Sequence, residues 1–129
     1  MSTRGMPAAA VICLLALALH SGEAAAAAAK RTITCPIAKE YSLKFEVPAK
    51  LGDLPDVNFD YDSRVTLFSF RDRNLLLVAV DDGVPSRVRV VISAQLNAAT
   101  GTYDGQFVVD FGGNQLMIDN GPISCSVSR

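Results

Sequence analysis

Histidine is almost missing from this chain of 129 residues; the only one, His20, lies close to the start. No basic run is longer than the pair Lys30-Arg31, and the longest apolar run, Ala8 to Leu19, is twelve residues. No segment carries a convincing helical pattern of apolar residues three and four apart. Each gap closes off a class of function. Nucleophilic catalysis relies on a base beside the nucleophile, usually histidine, so hydrolase and transferase triads lack their central member. Without a helix there is no helix N-terminus to hold a phosphate, and Gly112-Gly113 reads as a hairpin turn. The missing basic face disfavours nucleic acid and anionic membrane as partners, because both reward clustered positive charge. A carboxylate pair for glycoside cleavage has only Asp81-Asp82 to draw on, neighbours in a Gly-Pro turn that point apart. Neither an enzyme activity nor a cofactor is expected.

The first twenty-nine residues read as an export signal. Arg4 supplies a positive start, Ala8 to Leu19 the apolar segment, and the alanines up to Ala29 a set of small-residue cleavage sites. Twelve apolar residues are too few to span a bilayer comfortably. Cys13 sits inside the apolar run instead of closing it, so lipidation is not expected. Residues 1–29 are therefore assigned to a signal peptide cut between about 24 and 29, and residues 30–129 to one small secreted or periplasmic domain. Eleven of the twelve Lys and Arg and twelve of the thirteen Asp and Glu remain after that cut, so the domain is nearly neutral.

Two cysteines stay in the domain, Cys35 and Cys125. An even pair in an oxidising compartment is most simply a disulfide, and two thiolates with no histidine make a poor zinc site.

Between the cysteines, apolar and polar residues alternate. Tyr41, Leu43, Phe45 and Val47 share one face; so do Val88, Val90, Ile92, Ala94 and Leu96; so do Tyr103, Gly105, Phe107, Val109 and Phe111; so do Ile123, Cys125 and Val127. Period two means half-buried antiparallel strands. Asn74 to Val80 is apolar on both faces and pairs with Val65 to Phe70 across the polar turn Arg71 to Asn74. Turn compositions recur at Asp81 to Ser86, Asn97 to Gly101, Gly112-Gly113 and Asp119 to Gly121. The expected fold is all-β: a small antiparallel sandwich or closed barrel of about eight strands in a meander, its end strands joined by the disulfide. The expected register sets Leu96 opposite Tyr103 and Val90 opposite Val109, with outward Arg89 pairing Asp110 across strands. It also sets Phe111 opposite Asn114 and Val109 opposite Leu116. Val91, Val108 and Met117 then form an outward apolar stripe, which implies a second layer, a dimer contact or a ligand surface, a covering sheet being preferred.

One stretch invites a metal reading. Asp56, Asn58, Asp60 and Asp62 alternate with Val57, Phe59 and Tyr61, as at the start of a calcium loop. Tyr61 stands where such a loop needs glycine, and Leu67 where it needs a bidentate glutamate. In a strand the acids would be roughly 7 Å apart, too far to share an ion at about 2.4 Å. An edge strand with a solvated acidic face is expected, with weak calcium binding at Asp56, Asp60 and Asp62 or docking of a basic partner as alternatives. Arg87 and Arg89 are read chiefly as cross-strand partners of Asp110; gripping a carboxylate or sugar phosphate is the alternative.

Ala99 to Cys125, "ATGTYDGQFVVDFGGNQLMIDNGPISC", resembles the end of the MliC-type periplasmic lysozyme inhibitors. The likeness covers about thirty residues plus the placement of the cysteines. That family carries a Ser-Gly-x-x-Tyr loop and a strand ending in Lys-Gly; here Thr100-Gly101-Thr102-Tyr103 is one residue shorter, and Phe111-Gly112 replaces Lys-Gly. The resemblance implies a small β-barrel, with Thr100 and Tyr103 as partner-binding positions, though without the lysine that would oppose an acidic lysozyme cleft. The functional expectation is a non-enzymatic binding protein with a protein partner and no stable membrane anchor. The alternative is a structural or assembly protein using the Val91/Val108/Met117 stripe as an interface.

Overall fold

The computed structural model describes residues 29–129, so the segment expected to be an export signal, residues 1–29, lies outside the described residues apart from Ala29. Alternating sequences become strands throughout: β1 (Thr32–Ala38), β2 (Tyr41–Glu46), β3 (Ser63–Arg71), β4 (Asn74–Asp81), β5 (Val88–Leu96), β6 (Tyr103–Asp110) and β7 (Ile118–Ser128). There is no helix among the described residues. All seven form one antiparallel sheet in the order β2-β1-β7-β6-β5-β4-β3, curled into a half-barrel.

The inward residues match across the curl. Val65, Ala79, Val90 and Val109 face one another in successive ladders, as do Phe68, Leu77, Ile92 and Phe107. These rows, with Ile33, Cys35, Leu43 and Phe45 from β1 and β2, make the core. Leu96 lies opposite Tyr103 and Val90 opposite Val109, as the alternation implies. Cys35 and Cys125 are bonded and fully buried, joining the first strand to the last. Since β1 and β7 are neighbours, the sheet edges fall to β2 and β3. Those edges meet through the rings of Phe45 and Phe68, 5.8 Å apart, and not through a ladder.

Three expectations are corrected. The acidic stretch is not a strand: residues 56–62 form no ladder, yet their parity survives. Asp56, Asn58, Asp60 and Asp62 are exposed, while Val57, Phe59 and Tyr61 pack against the core from the β2–β3 connection. The chain here lies across the opening between β2 and β3, so burial of three alternate side chains imposes the pattern without hydrogen-bonded pairing. Second, β6 and β7 are not joined by a tight turn at Gly112-Gly113. Val109 faces Asp119, not Leu116, and Phe111 donates its N–H to the Met117 carbonyl (2.9 Å), so Asp119 to Gly121 lies in a strand. The Asp110 carboxylate explains the longer loop, because it accepts the N–H groups of both Gly112 (2.9 Å) and Met117 (3.0 Å). Gly112 is required there, since a Cβ would collide with the Gln115 carbonyl oxygen. Third, no second sheet covers the outer face among the described residues. Val91 does face Val108, but Val108 faces Asn120 and not Met117. The apolar row instead runs the other way, Val108–Val91–Val78–Leu67, across four strands.

The β3–β4 hairpin turns on two residues, Asp72 and Arg73, both at positive φ (53° and 64°). That is the conformation a two-residue hairpin loop prefers and a side chain resists. Arg73→Gly is expected to raise stability by about 0.5–1 kcal/mol in denaturant melts. Reducing the disulfide, which spans 90 residues of sequence, should cost about 4–5 kcal/mol in the same measurement.

Candidate functional site

The arginine pair lies at one end of the half-barrel. A bulge places Ala79 opposite Val90 but Val80 opposite Val88, leaving Arg89 as the extra residue on β5. Such a bulge re-aims a side chain. Arg89 turns inward, only 7% exposed, and its Nε donates to Asp81 (2.8 Å) while Nη1 donates to the Asp110 carbonyl (3.1 Å). The expected Arg89–Asp110 ion pair is thus replaced by Arg89–Asp81, while Arg87 does pair with Asp110, at 2.7 Å. Arg87 also donates to the carbonyls of Gly112 (3.1 Å), Gln115 (3.2 Å) and Gly113. The Arg89 guanidinium lies 5.1 Å from the centre of the Tyr61 ring, and Tyr61 and Tyr41 both pack edge-on against Phe111. Tyr61 thereby ties the acidic stretch to this end.

Both guanidinium groups are occupied by internal acceptors, which leaves them little capacity to grip an anion. The electrostatics fit a structural clasp. The Arg87 guanidinium holds the Asp110 carboxyl well below the usual carboxylate range despite burial, with help from the Met117 and Gly112 N–H groups. Asp81 is lowered by Arg89 and by the Val84 N–H. Burial pushes the phenols of Tyr41 and Tyr61 up.

The residues singled out by the family resemblance are not brought together. Thr100 is exposed in the β5–β6 turn, where its hydroxyl meets that of Thr102 at 2.7 Å. Tyr103 faces inward, opposite Cys125, with its ring 5.0 Å from that of Phe70. Asp104 staples the turn, accepting from Ser124 (2.7 Å), Asn97 (2.9 Å) and Thr102 (2.8 Å), and those bonds lower its pKa. Asp56, Asp60 and Asp62 do not converge: among the described residues no three of His, Cys, Asp and Glu are grouped to hold a metal.

The open side of the sheet offers a different site. Between the β3 edge and the start of the β2–β3 connection lies a cleft of about 340 Å³, lined by Arg31, Val47 to Asp53 and Phe68 to Arg71. Phe70 anchors it, with the Tyr103 ring on it and the Arg31 guanidinium 5.0 Å from its centre. The far wall is a turn in which the Asp53 N–H donates to the Lys50 carbonyl (3.2 Å) and Gly52 takes φ of 92°. β3 pairs only with β4, so its other side is an unpaired edge, and the last four residues of that strand, Phe68 to Arg71, border the cleft. A second cleft lies further along the same connection, lined by Thr32, Lys44, Phe45, Glu46, Asp56 and Asn58. Sequence reasoning missed the first cleft because Arg31, Lys50 and Arg71 are far apart in the chain. The available signal was that residues 48–55 follow no strand period.

No family model, curated protein or solved structure matches this chain.

Asp110, Asp81 and Asp104 all ionise more readily folded than unfolded, so their stabilisation is complete at neutral pH. It declines once the pH falls through the unfolded carboxylate range, near about 4, towards the lower folded values. Melting temperature should therefore drop steeply below about pH 4. Asp110→Asn should lower it by several degrees at pH 7 and flatten that acid limb, whereas the exposed change Asp119→Asn should do neither.

Proposed function

We propose that the protein is an exported, non-enzymatic binding protein, secreted or periplasmic, that works at the open side of its curled sheet. One observation carries the reading: the cleft beside β3 joins an apolar floor, Phe68 and Phe70, to two cations, Arg31 and Lys50, that are in no ion pair among the described residues. Arg87 and Arg89 are clasped by internal acceptors, whereas Arg31 and Lys50 are in no ion pair among the described residues. Concave, mostly apolar sites with a few fixed polar groups are where ligands of this size bind. The disulfide fits an oxidising compartment. Inhibition of lysozyme is a narrower form, resting on the resemblance of Ala99 to Cys125 and offering exposed Thr100 as its contact.

A second reading, a structural or assembly protein, is favoured by the outer row Leu67–Val78–Val91–Val108, of which Leu67 and Val108 are the most exposed. Its occupant would be a second copy of the chain, face to face.

Amide spectra recorded with a panel of small aromatic and aliphatic fragments should show shifts that gather at Arg31, Lys50 to Asp53 and Phe68 to Arg71. Shifts confined to the outer row, with sedimentation as a dimer, would support assembly instead. Retention of the protein on immobilised lysozyme at micromolar concentration is the outcome required by the inhibitor form. The exported protein should begin between Ala25 and Lys30 by mass, with no free thiol.

A further inference from the structure

We propose that the cleft beside β3 selects a small amphipathic organic anion: an aromatic or short acyl body carrying a carboxylate, sulfonate or similar acidic head. This rests on the reading that the cleft is the working site, and adds the chemistry of what enters it.

Three of its lining side chains are cationic, Arg31, Lys50 and Arg71, against one carboxylate, Asp53. The whole chain has a formal net charge of −1, so this basic patch runs against the molecule's own balance. Arg71 has only a loose, exposed partner, Asp72 at 3.8 Å, which leaves its charge largely available. Arg31 is held over the Phe70 face, an arrangement that fixes a guanidinium while its N–H edge stays free to donate to a planar acid. Phe70 is braced from its other contact by Tyr103, so the apolar floor and the cation above it are positioned before any ligand arrives.

The second cleft on the same connection shows that this chemistry is not a general property of the open side. It sets one cation, Lys44, against Glu46 and Asp56, and has a single aromatic, Phe45. An excess of cations over two aromatic rings distinguishes the first cleft. Its volume, about 340 Å³, suits a ligand of roughly ten to fifteen heavy atoms, at the low end of small-molecule sites.

The test is a titration of the exported, disulfide-bonded protein with 4-phenylbutyrate, 4-phenylbutanol and 4-phenylbutylamine, which share a body and differ in the head. The carboxylate should bind about tenfold tighter than the alcohol, and the amine more weakly than either, with the advantage shrinking as salt rises. Lys50→Gln, at an exposed side chain, should reduce the preference without moving the melting temperature, and Arg31→Gln should reduce it with a shift of no more than a few degrees, from the lost contact with Phe70. Lys39→Gln, at the opposite end of β1 and β2, makes the same change in net charge and should leave the preference intact. Equal affinity for the three heads at the cleft would overturn anion selection while leaving the cleft as the site. Binding of none of them there at millimolar concentration would remove both. Shifts along β3 with an acidic peptide but not with phenylbutyrate would assign the edge to an extended peptide and overturn the proposal.

Discussion

The pairing of β1 with β7 decides where this molecule is open. In a chain of hairpins the first and last strands would be the edges. Here Cys35 and Cys125 bind those two strands side by side and bury the link in the core. The unpaired edges are thereby handed to β2 and β3, two strands consecutive in sequence that stand at opposite ends of the sheet. The connection between them must cross the gap, and its crossing creates the cleft. A covalent constraint between the first and last strands thus sets where the sheet stays open and where the candidate site forms.

Polar chemistry divides in the same way. At one end two arginines are surrounded by carboxylates and glycine carbonyls, and Asp110 is 3% exposed. Removing one partner there would strand a charge away from water, so the network holds geometry and is poor at recognition. Along the open side Arg31, Lys50 and Arg71 are exposed, and Arg31 lies over the Phe70 ring. The contrast between clasped and free cations within one small domain directs attention to the second set.

Most of the strand ladder was legible because period two is enforced by burial, and burial is what the sequence encodes directly. Leu96 opposite Tyr103 and Val90 opposite Val109 follow from inward parity and a short turn. Parity misled at Asp56 to Asp62, where Val57, Phe59 and Tyr61 pack inward from a connection that has no ladder partner. Register failed after Gly112, because the length of that loop is set by the Asp110 carboxylate, a tertiary partner with no local signature. Arg89 was misassigned for a similar reason: the bulge that turns it towards Asp81 is a single extra residue, invisible in a repeating pattern. The cleft itself was out of reach, since its cations come from three separated segments.

The strand order has a kinetic meaning. Read from the β3 edge it runs β3, β4, β5, β6, β7, β1, β2, a sequential meander whose chain has been cut at one place and rejoined at another. Thr32 faces Ser128, so the two ends of the ladder already sit together. A circular permutant that links them and opens the chain within residues 48–56 would make every strand pairing local. In the native connectivity, β1 and β2 form a hairpin that must wait for β7, some ninety residues away, before it can dock. That late closure adds contact order that the permuted chain would lack, and folding should be the slower for it.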